Sequence, residues 1–189
     1  MDEPMRKLII NFLLCLMVFS LFMGSAHSKF MNLKIDLLSR IVGGTNVELD
    51  FLSGKYSLGP AVYKLDLTVS DWKYEADLIG GQVSFHADNA DSDGWMATGK
   101  YLSGKFKMTY TKSNLAYIWL EPNVSVFFGY FGYQWMWDNF NIQLKLGQSK
   151  YDILTTLNFT ASDGSTLSKN IGSYSGTNSS FEFRLGLAF

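Results

Sequence analysis

Hydrophobic and polar residues alternate along most of the chain, and the last nine residues show this pattern most clearly. Every second residue there is apolar, and the residues between are charged or small. Successive side chains of a β-strand point to opposite faces, so the stretch predicts a strand with one apolar face. Strands of soluble sandwiches and of membrane barrels both alternate in this way. The apolar residues are Phe181, Phe183, Leu185, Leu187 and Phe189.

The same period of two recurs in eight segments that turn residues separate. Gly43-Gly44 and Ser53-Gly54-Lys55 predict turns, and Asp138-Asn139 predicts a tight hairpin between neighbouring strands. From residue 151 to residue 180 the composition changes to Ser, Thr, Asn and Gly, which predicts a long loop. A β extension at residues 153–159 is compatible with that loop. The eight segments cover about residues 31–37, 47–51, 56–69, 74–87, 95–110, 115–137, 140–146 and 181–189.

Two segments alternate less regularly. In the fifth, Lys100 and Gly104 interrupt an apolar face. In the sixth, the apolar face changes sides around Gly129, and a β-bulge near Gly129 would reconcile the two parts. The apolar residues are Leu102, Phe106, Met108 and Tyr110 in the fifth segment, Val124, Val126 and Phe128 before Gly129, and Phe131, Tyr133 and Trp135 after it.

The N-terminus has the features of a secretory signal. Arg6 and Lys7 precede an apolar run over residues 8–23, and small residues follow at 24–28. The run is shorter than the ~20 apolar residues that span a bilayer, so we expect residues 1–28 to be cleaved, with translation starting at Met1 or Met5. Cleavage removes Cys15, the only cysteine, and leaves no disulfide and no thiolate metal site. Export without cystine suits a bacterial envelope.

Charge and composition narrow the class of the remaining domain, residues 29–189. Its basic and acidic residues nearly balance, so neither nucleic acid nor an anionic membrane surface is indicated as a partner. Aromatic residues make up 16% of the chain. After the leader no apolar run is long enough for a membrane helix. Together these features favour strands that meet lipid with aromatic and aliphatic side chains.

The residues that alternate with the apolar ones distinguish a membrane barrel from a soluble sandwich. In a small membrane barrel the polar face fills a narrow lumen, so acids and bases of both signs should occupy it. An aromatic cluster before Asp138-Asn139 is predicted to lie on the same rim as Phe189, at the level of lipid headgroups. The pattern predicts an all-β, eight-stranded antiparallel up-and-down transmembrane β-barrel. The predicted lumen residues are Lys34, Asp36, Glu48, Asp50, Lys64, Asp66, Lys145, Glu182 and Arg184.

Two resemblances point in the same direction. The terminal strand that ends on Phe189 resembles the closing strand of bacterial outer-membrane barrels. That resemblance implies that its apolar residues are the signal for the barrel-insertion machinery. Short motifs resemble a family of small bacterial outer-membrane proteins catalogued as a domain of unknown function, which implies an eight-stranded barrel and no activity. The motifs are Asn46-Val47-Glu48-Leu49, Gly80-Gly81-Gln82-Val83, Gly94-Trp95 and Gly132-Tyr133-Gln134-Trp135.

Two groups of residues could carry chemistry. His86, the only histidine after residue 28, is followed by Asp88, and with a serine the two could act as an acyl hydrolase or transferase on lipid. No nucleophile motif accompanies them. The acidic loop at residues 88–94 begins like a calcium loop, but Lys100 stands where the bidentate Glu should be. We therefore expect no catalytic residue, no cofactor and no metal, and a solvated turn at the loop.

The expected function is a structural or surface-interaction role in the bacterial outer membrane. Eight strands leave an interior that side chains fill, so a diffusion pore is not expected. The expected partners are outer-membrane lipid and the insertion machinery, and the sequence identifies no external ligand. The alternatives are a lipid acyl hydrolase or transferase that uses His86, and a soluble periplasmic lipocalin-like binding barrel.

Overall fold

A computed structural model describes residues 29–110, 117–120, 122–160 and 166–189. The predicted signal peptide, residues 1–28, lies outside the described residues. Within the described part of the chain, no helix has the length and hydropathy needed to cross a bilayer. The elements are β1 (Met31–Asp36), α1 (Leu37–Ile41), β2 (Gly44–Ser53), β3 (Tyr56–Val69), β4 (Trp72–His86), β5 (Gly94–Tyr110), β6 (Tyr117–Leu120), β7 (Asn123–Trp137), β8 (Phe140–Thr160) and β9 (Thr166–Ala188).

The strands form one antiparallel sheet that closes in a ring. Neighbours in sequence are neighbours in the sheet, and β9 pairs with β1. Strands β6 and β7 both pair with β5 on one side and β8 on the other in a single register. They are two parts of one ring strand, interrupted next to Pro122, which lacks a backbone N–H. The ring therefore has eight up-and-down strands.

The strands are strongly tilted. Eight strands with an offset of ten residues correspond to a tilt of about 40° and a radius of about 8 Å. An interior of that width accommodates side chains and little else. The offset follows from the pairing. A path of paired residues that starts at Lys34 and goes once around the ring arrives in β9 at Gly176, whereas the direct partner of Lys34 in β9 is Gly186, ten residues away. The path is Lys34, Glu48, Ala61, Gly80, Leu102, Val126, Tyr151, Gly176.

The two ends of the ring differ in their connections. The near end carries both ends of the ring's chain, the turn at Gly54, the loop 87–93 and the turn at Asp138. The turns predicted at Gly43, Gly54 and Asp138 are confirmed, with φ of +81°, +56° and +45°. The far end carries α1, the turn at residues 70–71 and the long hairpins β5–β6 and β8–β9.

Three predictions about local structure are wrong. The long loop predicted at residues 151–180 is wrong, because β8 continues to Thr160 and pairs with β9 from Thr166 onwards, whereas the β extension predicted at residues 153–159 is confirmed as part of β8. Short polar side chains are exposed on both faces of β9 there, at Ser173, Ser175, Thr177, Asn178 and Ser179. Gly129 is not at a bulge, since it pairs with Gly99 and Gln148 in unbroken registers.

Strand β1 is also shorter than predicted. It ends at Asp36, where the side-chain Oδ1 accepts a hydrogen bond from the Leu38 N–H at 3.0 Å. This bond caps helix α1, because a short polar side chain just before a helix satisfies a free N–H of the first helical turn. The alternation of apolar and polar residues did not predict this helix.

Candidate functional site

The ring has two halves that differ in which face is polar. We call residues 31–36, 44–51, 56–62, 79–86, 94–101, 127–137, 140–147 and 181–189 the near half, and residues 63–78, 102–110, 117–120, 122–126, 148–160 and 166–180 the far half. In the near half, most inward side chains are polar and buried, with Met96 and Tyr130 among the exceptions, and the outward side chains are mostly apolar. In the far half, described side chains of β3, β4 and β5 show the reverse arrangement.

Six charged side chains form an ionic cluster inside the near half, and none is more than 3% exposed. Glu48 lies at its centre, because it accepts from Arg184, is 3.6 Å from the Lys34 ammonium and is 3.5 Å from the Lys100 ammonium. A buried charge is tolerated only when it is paired and hydrogen-bonded. The cluster consists of Lys34, Glu48, Asp50, Lys100, Glu182 and Arg184.

The remaining contacts of the ionic cluster tie its members together. Lys34 Nζ donates to Asp50 Oδ2 at 2.5 Å, and Glu182 pairs with both Lys100 and Arg184. The Gln82 amide donates to Asp50 at 2.6 Å and accepts from Arg184 at 3.3 Å. Strands from opposite sides of the ring are therefore linked through its interior.

Other lumen predictions have mixed outcomes. Asp36 and Lys145 are buried on the inward face, as predicted. Lys64 and Asp66 were wrongly assigned to the lumen, because both lie outward in the far half, where the inward face is apolar. The sequence predicts only that Lys100 interrupts an apolar face, whereas in the structure Lys100 belongs to the ionic cluster. Its even position in β5, shared with the inward Leu102, indicated that its side chain points inward.

The loop 87–93 packs against the near end of the ring. Its Ala90 is 1% exposed and donates its N–H to the Gly54 carbonyl at 2.7 Å. The Gln134 amide donates to the carbonyls of Ala90 and Ser92 at 3.0 and 2.9 Å. The loop is thus more than the solvated turn that was predicted. No group of three or more His, Cys, Asp or Glu side chains in the described residues could hold a metal ion.

His86 lies inside the ring at this end and is 2% exposed. Its Nε2 is 3.3 Å from Ser57 Oγ, which in turn donates to Asp50 Oδ2 at 3.2 Å. The predicted partner, Asp88, is exposed on the loop. The hydroxyl lies between the imidazole and the carboxylate, so the carboxylate does not orient the imidazole as it does in a hydrolytic triad. Burial also keeps lipid away from this group.

The interior of the far half is apolar. Ala61, at the boundary of the halves, packs with Leu78 and Leu102 in a cluster of buried residues. Tyr63, Val124 and Phe128 are partly buried against it. The Lys100 ammonium, 4.7 Å from the Phe128 ring centre, marks the boundary between this cluster and the ionic cluster.

The outer surface of the far half carries exposed ion pairs. Lys64 Nζ is 3.6 Å from Asp77, and Lys73 Nζ is 2.7 Å from Glu75 and 3.8 Å from Asp66. The hydrogen bond between Lys73 and Glu75 raises the pKa of Lys73 and lowers the pKa of Glu75. This surface is suited to water.

The outer surface of the near half is an apolar belt with aromatic rings at its near edge. Trp95 stacks on Phe131 with ring centres 5.1 Å apart, and Trp137 packs on Phe140 at 6.2 Å. Phe189 belongs to the same rim, as predicted, because the preceding residue, Ala188, donates its N–H to the Asn139 carbonyl in the turn after Trp137. The outward residues of β9 are Phe181, Phe183, Leu185 and Leu187. Their role as an insertion signal stays a prediction.

Comparison with protein-family models, curated proteins and solved structures gives no significant match. The resemblance to small outer-membrane proteins of unknown function therefore stays a prediction.

Proposed function

We propose that the ring is a transmembrane β-barrel of the bacterial outer membrane, with the far half projecting from the membrane as a surface-interaction structure. The observation that carries the proposal is the reversal of polarity between the halves. An apolar outer belt over a polar interior suits strands that meet lipid, and a polar outer surface over an apolar interior suits strands that meet water.

The dimensions support this proposal. The belt spans seven to nine residues of most strands, which at a tilt of about 40° gives a height of about 20 Å. The tilt lies in the range of outer-membrane barrels. Trp and Tyr at the near edge suit the headgroup region.

A structural or binding role is more consistent with the interior than transport or catalysis. The buried ionic cluster lies inside the near half, so we expect the barrel to offer no continuous path for solutes. His86 is buried in the same interior. We expect His86→Ala to leave the lipid profile of the envelope unchanged.

The membrane assignment is tested by fractionation and by gel mobility with and without boiling. A closed barrel that resists detergent stays in the membrane fraction and migrates differently once boiled. A protein released with the periplasmic contents, with no shift on boiling, would contradict the proposal and favour the soluble binding barrel.

The orientation is tested with epitope tags at two tight turns. A tag between Ser70 and Asp71, at the far end, should be recognised on intact cells. The matched tag between Asp138 and Asn139, at the near end, should be recognised only after permeabilisation. The opposite result would show that the far half faces the periplasm.

A further inference from the structure

The apolar belt is interrupted by a groove on the side formed by β4, β5, β7 and β8. Gly99 and Gly129 are paired on adjacent strands, and both face outward. Because neither has a side chain, the outer surface is recessed there over a volume of about 800 Å³. Small-molecule sites typically occupy ~300–1,000 Å³.

These two glycines are not required by the fold. A Cβ at Gly129 would meet nothing within 4 Å, and one at Gly99 would make ordinary contacts of 3.9 and 4.0 Å. By contrast, a Cβ at the inward Gly132 or Gly147 would overlap a carbonyl oxygen of the neighbouring strand. Glycine weakens a strand, and within strands it marks places where a ligand or another backbone approaches closely.

The groove has an apolar floor and walls and a polar upper end. Five exposed apolar side chains form the walls, and Gln148, Lys150 and Thr177 line the end that adjoins the far half. No described residue forms an ion pair with the Lys150 ammonium. The wall residues are Val83, Phe85, Phe127, Phe131 and Leu146.

We propose that this groove binds an acyl lipid with an anionic phosphate headgroup. One acyl chain lies over Gly99 and Gly129, and the phosphate lies beside Lys150, with Gln148 and Thr177 as additional hydrogen-bond donors. This site rests on the proposed membrane location. In a bilayer the driving force is packing of the chain in the groove and the charge on the headgroup, because the surrounding lipid is as apolar as the groove.

A second copy of the chain fits the groove less well. The lining contains no acidic side chain that could pair with Lys150 of another copy. A phosphate supplies the missing negative charge, and an acyl chain is narrow enough to lie on paired glycines.

The experiment uses the full-length protein in vesicles that contain phosphatidylglycerol with a photoreactive group midway along one acyl chain. After illumination, labelled peptides are identified by mass spectrometry. We expect residues 97–101 and 127–131 to be labelled most strongly. The outward residues of β1 and β2, on the opposite side of the ring, should be labelled less. Equal labelling around the belt would overturn the proposal.

Two variants with matched controls separate the chain from the headgroup. Gly129→Leu should reduce labelling of the groove to the level of the opposite side, whereas Val47→Leu in β2 should not. Lys150→Gln should reduce labelling of the groove about five-fold, because one cation near a lipid phosphate contributes an effect of that size. Lys64→Gln should leave labelling of the groove unchanged. If both lysine variants behave alike, or if copies cross-link through the groove in place of lipid, the proposed site is wrong.

Failure of the membrane proposal gives a different result. A protein that does not insert stays in the aqueous phase and is labelled nowhere, and its mobility does not change on boiling. A protein that inserts and is labelled uniformly refutes the groove alone.

Discussion

The near and far halves are built from the same strands in the same registers, and yet their polar and apolar faces are exchanged. Strand β5 passes from one arrangement to the other between Lys100 and Leu102, which are successive inward residues. Backbone pairing is continuous across this point. The period of two therefore follows from the strand itself, whereas the choice of which face is apolar is made separately in each half.

The two halves also differ in what holds the interior together. In the near half, ion pairs and amide hydrogen bonds join strands across the ring, and each charge of the ionic cluster depends on its partners. In the far half, a small apolar cluster holds the interior together. The ion pairs there lie on the outer surface, where each contributes little to the free energy of unfolding.

The largest expected effect comes from removing one charge of the ionic cluster. Glu48→Gln leaves Arg184 and two ammonium groups without their shared carboxylate, and should lower the free energy of unfolding by about 4 kcal/mol. The matched control is Asp77→Asn, which breaks an exposed far-half pair and should cost less than about 1 kcal/mol. Urea unfolding of the protein refolded in detergent micelles measures both. Equal losses would contradict the distinction between the halves.

A core truncation tests the apolar interior of the far half. Leu102 is 2% exposed, and Leu102→Ala should cost about 3 kcal/mol through lost burial and the cavity left behind. Lys107→Ala, at an exposed outward position of the same strand, should stay within about 0.5 kcal/mol. A negligible effect of Leu102→Ala in the same unfolding measurement would mean that this cluster does not stabilise the far half.

A charge placed on the outer surface tests the apolar belt. Leu185→Arg, at an outward position in the middle of the belt, should cost about 2–3 kcal/mol when the protein folds into lipid vesicles. Thr68→Arg, outward in the far half, should change the folding free energy by less than about 0.5 kcal/mol. If both substitutions are tolerated equally, the belt is not in contact with lipid.

The smallest effect distinguishes neutral from charged groups inside the near half. Ser84 and Thr98 share a buried hydrogen bond of 2.8 Å. Ser84→Ala should cost about 1 kcal/mol, because only a neutral hydroxyl loses its partner. A loss as large as that of Glu48→Gln, measured by urea unfolding, would show that the near-half interior tolerates no change at all, charged or neutral.

The near half could be predicted from the sequence because, along each strand there, the inward residues are mostly polar and the outward residues mostly apolar. The outward residues of β9 and the inward Glu182 and Arg184 follow directly from alternation. The tight turn at Asp138 was predictable for a local reason, since aspartate tolerates a positive φ better than most residues.

The far half could not be predicted in this way, because its strands carry their apolar side chains on the face that is polar in the near half. At the boundary between the halves the apolar residues move to the other face, as at Phe128 and Phe131, while the ladder continues. A bulge near Gly129 was predicted to explain the change in parity, and the exchange of faces between the halves explains it instead. The pairing of Ser57 with His86 was also beyond the sequence, because it depends on the register between β3 and β4.

The most direct test of the reversal measures the surroundings of single spin labels on the outer surface. Leu185→Cys and Leu144→Cys place labels in the near half, and Thr68→Cys and Lys107→Cys place them in the far half, in protein reconstituted into phospholipid vesicles. We predict that molecular oxygen, which concentrates in lipid, has its highest access to the near-half labels. A water-soluble nickel chelate should have its highest access to the far-half labels. Equal access of the chelate to all four labels would contradict it.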